Sequence, residues 1–80
     1  MWKITLDEID LYEKFTEICR KYRQYIDIDV CYGRYIVDGC SLMGVLSLIP
    51  HTVEIMTPKT DEIIATDFEI EISALGAWKE

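Results

Sequence analysis

Few residues of this 80-residue chain are of types that carry chemistry. Ser41 follows the turn pair Asp38-Gly39 and Cys40, and opens the apolar run Leu42-Met43-Gly44-Val45-Leu46. A serine so placed is a helix N-cap whose hydroxyl accepts a backbone N–H. The same helix end, with its unpaired N–H groups and positive dipole, also suits a phosphate carried on that serine. His51 is the single histidine. A neutral imidazole can attack a phosphoryl donor, although the ordinary state of a loop histidine is simply solvated. Asp7, Glu8 and Asp10 precede a helical stripe, where carboxylates match the helix dipole. Glu8 or Asp10 as an acyl-phosphate acceptor would call for a flanking lysine or a Mg²⁺-binding acid cluster, and neither pattern is recognisable.

Cys19, Cys31 and Cys40 form no CxxC pair, and no second histidine exists to complete a zinc tetrahedron. The expectation is reduced, mostly buried thiols, with no metal and no cofactor. A formal net charge of -7, spread along the chain, gives no basic patch for a phosphate backbone and argues against a nucleic-acid partner. No apolar run is long enough to span a membrane, and Met1-Trp2-Lys3-Ile4 lacks the apolar segment and cleavage site of a secretory signal. The chain is read as cytoplasmic, without a membrane partner.

These groups must be positioned by one small domain, residues 1–80, because half the residues are apolar and suffice for a single core. Trp2 to Leu6 alternates as a strand. Thr5 and Glu8 have capping-box spacing, Asp7 is another possible cap, and Leu11, Phe15, Ile18 and Tyr22 recur at helical steps with Tyr12 and Cys19 beside them, predicting a helix from about Glu8 to Arg23. Tyr25 to Tyr32 alternates, Ile26, Ile28, Val30 and Tyr32 on one face against Asp27 and Asp29 on the other. Gly33 turns the chain into a return strand, Arg34 to Asp38. A short helix follows Ser41, Pro50 ends it, and Thr52 to Thr57 is the next strand. Phe68, Ile70 and Ile72 alternate with Glu69 and Glu71 as a strand would. Ile64, Phe68, Ile72 and Leu75 also recur at four, four and three, Thr60 can cap and Gly76 can stop the run, so a final helix is favoured. The expected class is α+β, in the order β-α-β-β-α-β-α, with four antiparallel strands and three helices on one face. Phe15, Ile18, Ile26, Ile28, Val30 and Ile55 are expected in one core, and Tyr12, Tyr32 and Tyr35 are expected to pack rather than bind.

The run "VDGCSLMGVLSL", Val37 to Leu48, resembles the segment around the regulatory serine of HPr, the phosphocarrier of the bacterial phosphoenolpyruvate-dependent sugar phosphotransferase system. The matching positions are Ser41-Leu42-Met43-Gly44 and Ser47-Leu48, and the order of elements agrees over nearly the whole chain. The resemblance implies the open-faced β-sandwich of that family, a phosphorylatable Ser41 with a serine kinase, and an apolar docking patch at Leu42, Met43 and Leu46. Its implied partners are proteins of the phosphotransferase system or a transcription regulator. The family's phosphorylated histidine, with an arginine and a proline close behind, opens the first helix. Aligning on Phe15 brings that window to Asp7-Glu8-Ile9-Asp10-Leu11, where all three are absent. Carboxylates there both remove the nucleophile and reverse the electrostatics. Cys40 replaces a residue that is usually basic in the family, and with no cationic partner in view a redox role for it is not expected. The expectation is a non-enzymatic HPr-like regulatory or interaction protein, with a histidine-less HPr relative in carbon catabolite control as its nearest functional model. A phosphocarrier using a displaced residue such as His51, and an orphan binding domain keeping only the fold, are the alternatives. The resemblance implies that the loop holding His51 borders the partner-facing side.

Overall fold

A computed structural model describes residues 1–58 and 61–80. In chain order the elements are β1 (Trp2–Thr5), α1 (Ile9–Tyr22), β2 (Asp29–Tyr32), β3 (Tyr35–Asp38), α2 (Leu42–Leu46), β4 (Thr52–Met56), α3 (Glu62–Ala74) and β5 (Trp78–Lys79). The sheet is antiparallel in the order β3-β2-β4-β1-β5. It therefore has five strands where the sequence predicts four. The extra strand is not the ambiguous Phe68–Ile72 segment, which is helical, but Trp78–Lys79 beyond it, paired with Lys3 and Trp2 of β1. Two residues are too few to produce an alternation pattern, so β5 has no sequence signal of its own. The Lys3 to Glu80 ion pair at 3.1 Å and the Glu80 N–H to Met1 carbonyl bond at 3.0 Å complete the docking of the tail.

Alternation decides which face is covered. Ile4 and Val53 face each other across β1 and β4, as do Val30 and Ile55 across β2 and β4, and all four are buried in one cluster with Phe15 and Cys19 of α1, Val45 of α2, and Phe68 and Ile72 of α3. The three helices thus pack on the face that carries these residues, and Lys3, Thr5, Glu54 and Ile36 take the other. Ile26 and Ile28 are in the core as expected, but before β2 begins: Tyr25 and Ile26 donate their N–H groups back to the Tyr22 carbonyl, and the strand proper starts only at Asp29. Ile18 flanks the core and is only partly buried, because the buried stripe of α1 is centred on Tyr12, Phe15 and Cys19.

The caps differ from expectation at two of the three helices. Thr5 stays in β1 and bonds the Thr52 hydroxyl at 2.8 Å, while Glu8 stands at the N-cap of α1 with no side-chain bond, so neither the predicted capping box nor an Asp7 cap forms. At α3 the cap is Asp61, whose Oδ1 accepts from the N–H groups of Ile63 (3.0 Å) and Ile64 (3.2 Å). Thr60, the cap suggested by the sequence, lies outside the described residues. Gly76 stops α3 as expected, with φ of 99°, a left-handed conformation suited to glycine.

Candidate functional site

The opening serine does what its position dictates. Ser41 is the N-cap of α2 and its Oγ accepts from the Gly44 N–H at 3.3 Å. The turn before it is held by Asp38, whose Oδ1 accepts from Cys40 N–H at 2.7 Å and whose carbonyl accepts from Ser41 N–H at 2.9 Å. Gly44 is required by closeness rather than by backbone angle. A Cβ there would lie 2.9 Å from Ser41 Oγ and 3.2 Å from Val37 Cβ, so a side chain would press on the cap and on β3 together.

A helix of five residues has little area to hide. Val45 is fully buried and Leu48, just past the helix, nearly so, while Ile49 is only partly buried. Leu42, Met43 and Leu46 remain exposed together, Met43 at 77%. Tyr12 fixes this helix to α1 by donating its hydroxyl to the Leu42 carbonyl at 2.7 Å, so the expectation that Tyr12 packs holds. Ser41 itself is exposed and borders a cleft of about 390 Å³ with Arg23, Ile26, Asp27, Ile28, Asp38 and Cys40. Arg23 at this cleft carries no sequence signal, since nothing in the spacing relates the end of α1 to Ser41.

Cys40 is no activated thiol. Burial raises its pKa first, and Asp38 raises it further by charge and by hydrogen bonding; Arg23 and Arg20 pull the other way without prevailing. Cationic neighbours are thus present where the sequence suggested none, but the balance still favours the neutral thiol. Its Sγ donates to the Cys19 carbonyl at 3.3 Å. Cys19 is buried, which pushes its thiol up strongly, and Cys31 is raised for the same reason. The three cysteines are unpaired. Among the described residues no group of three or more acids, cysteines or histidines is arranged to hold a metal.

At the head of α1, Asp7, Glu8 and Asp10 are all exposed carboxylates. His51 is not remote from them in the fold: its carbonyl accepts the Leu6 N–H at 3.1 Å, which brings the loop after α2 against the junction of β1 and α1. The imidazole stacks on Tyr32, ring centroids 4.3 Å apart and planes 16° from parallel, over a cleft of about 210 Å³ shared with Tyr35, Ser47 and Leu48. Tyr32 therefore packs against a histidine at the surface and not into the core. Tyr35 is 68% exposed, so the expectation that it packs is wrong. The hairpin turn brings both rings to the sheet's margin, where the inward-facing side of β2 and β3 has run past the core.

No protein-family model matches the chain, and no curated protein matches it. Among solved structures, the crystal structure of HPr-C-His from Thermoanaerobacter tengcongensis superposes with a TM-score of 0.66, covering 94% of this chain and 93% of that one at 16% sequence identity. At that identity the likeness is one of fold: the chain adopts the HPr fold. No helix is long and apolar enough to cross a membrane among the described residues.

Proposed function

We propose that the chain is a non-enzymatic regulatory or interaction domain, related to the sugar phosphotransferase system, that docks proteins through Leu42, Met43 and Leu46 and is switched by phosphorylation at Ser41. The observation that carries this reading is the exposed apolar surface of α2 with a serine hydroxyl at its rim. An adaptable methionine between two leucines suits a docking surface, and an added phosphate of about -1.5 to -2 charge changes which partners fit by electrostatics. The acids at the head of α1 support the other half of the proposal, since Asp7, Glu8 and Asp10 offer neither an imidazole nor a cation to an incoming phosphoryl group.

The test uses the serine kinase of HPr with ATP, followed by mass spectrometry and by binding to the purified first enzyme of the phosphotransferase system and to a purified HPr-responsive transcription regulator. Phosphate at Ser41 alone, with binding that changes on phosphorylation and falls in Leu46→Ala, is expected. An unmodified Ser41 under conditions that modify an authentic HPr, with Leu46→Ala binding like the parent, would leave only an orphan domain that keeps the fold.

One observation favours a second reading, a phosphocarrier through His51. The bond from Leu6 N–H to the His51 carbonyl sets this histidine beside the start of α1, where the family carries its phosphate. Its stacking on Tyr32 covers one face of the ring but not the in-plane nitrogens that would take a phosphoryl group.

A further inference from the structure

We infer that a second copy of this chain pairs antiparallel with β3, about a two-fold axis through Ile36, joining the two sheets into one. β3 is an edge of the sheet whose middle is open and apolar: Tyr35 and Ile36 are 68% and 67% exposed, and Tyr35–Asp38 contains no lysine, proline or glycine, its one charge being Asp38 at the end. The opposite edge, β5, has only two residues and offers little to a partner.

The direction of the free backbone groups follows from the ladder. The hairpin closes at Tyr32 opposite Tyr35 around Gly33-Arg34, and beyond the strand end Gly39 N–H donates to the Ile28 carbonyl at 2.9 Å. Hydrogen-bonded pairs alternate along an antiparallel ladder, so Tyr32 with Tyr35 and Val30 with Val37 are bonded, while Cys31 with Ile36 and Asp29 with Asp38 are not. The N–H and C=O of Ile36 and the N–H of Asp38 therefore point away from the sheet. The Asp38 carbonyl is already engaged by Ser41. Centred on Ile36, two copies exchange bonds between their Ile36 groups and add one from each Asp38 N–H to the other copy's Arg34 carbonyl.

Charge selects this register. Opposite residues in it are Ile36 with Ile36 and Arg34 with Asp38, whose Oδ1 stays on the Cys40 N–H and whose other oxygen is left to meet the guanidinium. Among the described residues neither Arg34 nor Asp38 enters an ion pair, and Asp38 lies directly across from Asp29, a like-charge pair. A second copy brings a guanidinium to each of these acid pairs. The net charge of -7 per copy opposes association at long range, but beyond about 8 Å it is screened at physiological salt.

Sedimentation equilibrium of the whole chain in physiological salt, from micromolar to millimolar concentration, tests the pairing. The parent mass should rise toward that of a dimer. Ile36→Lys should remain monomeric, and Arg34→Glu, which sets like charges opposite at both ends, should raise the dissociation constant about tenfold or more. Adding Asp38→Asn to Arg34→Glu keeps the acceptor for Cys40 N–H, removes the repulsion and should recover most of the loss. Circular dichroism checks that each variant is folded, which is expected for Ile36→Lys because the Ile36 side chain is 67% exposed. A parent that stays monomeric throughout, or a dimer indifferent to Ile36→Lys and Arg34→Glu, overturns the inference, and a dimer broken by Leu46→Ala instead would assign it to α2.

Discussion

Ser41 has a structural task whether or not it has a regulatory one, and the two are separable by experiment. Its Oγ meets the Gly44 N–H, so Ser41→Ala should lower stability by about 1 kcal/mol in chemical denaturation, and Ser41→Asn, another good cap, should recover most of it. A loss in alanine with no recovery in asparagine would mean that the hydroxyl is not acting as a cap. A second residue pair carries a pH signature. Tyr22 donates its hydroxyl to Glu71, which also receives Lys21 at 3.1 Å. The Tyr22 bond is the main reason Glu71 lies below the usual carboxylate range, and the same bond, followed by burial, raises Tyr22 to about 12. A depressed carboxylate stabilises the fold above its unfolded pKa and loses that contribution as pH falls through the folded value. A raised phenol contributes below its unfolded pKa of 10 and loses it as pH climbs toward 12. Stability should therefore fall at both extremes through this pair. Glu71→Gln should flatten the acid limb and lower the Tyr22 titration midpoint, read by ultraviolet absorbance; an unchanged midpoint would show that the contact does not form in solution.

At the scale of elements, what was legible in the sequence was whatever repeats. Phe15 and Cys19 on α1, Phe68 and Ile72 on α3, and Val30 and Ile55 in the sheet all stand where periodicity places them. Structure set by a single contact was not legible: the Thr5 hydroxyl is claimed by Thr52 from a strand far along the chain, which leaves α1 without its predicted cap, and β5 exists because Lys3 and Met1 receive Trp78 and Glu80. The candidate site divides the same way. The helix opened by Ser41 and its exposed Leu42, Met43 and Leu46 follow from local sequence, whereas the approach of Arg23 to Ser41 and of His51 to Leu6 depends on tertiary packing. Beyond the bonds from Tyr12 to Leu42 and from Tyr22 and Lys21 to Glu71, the helices are held by the shared core, which should dominate stability. Phe15 is completely buried, so Phe15→Ala should cost about 3–5 kcal/mol, a large share of the roughly 4–12 kcal/mol expected of a domain this small. Thermal unfolding should show a much lower midpoint in the variant, and a cooperative transition near that of the parent would mean the core is not centred on α1.

For the whole molecule, an HPr fold carries acids at the head of α1 where the resemblance would place the phosphorylated histidine. The fold brings three features to its periphery: the acids that open α1, the apolar face of α2 behind Ser41, and the loop that carries His51 beside Leu6. A net charge of -7 gives that surface no electrostatic attraction for a nucleic-acid backbone, and the partners proposed for it are proteins. Fold alone does not fix function, so the central claim rests on whether the missing histidine is truly unreplaced. The direct measurement is incubation with radiolabelled phosphoenolpyruvate and the first enzyme of the phosphotransferase system, beside an authentic HPr. The account predicts that HPr takes up label while this chain takes up none. Acid-labile, base-stable label on this chain that disappears in His51→Ala would contradict it and establish a phosphocarrier with a displaced histidine.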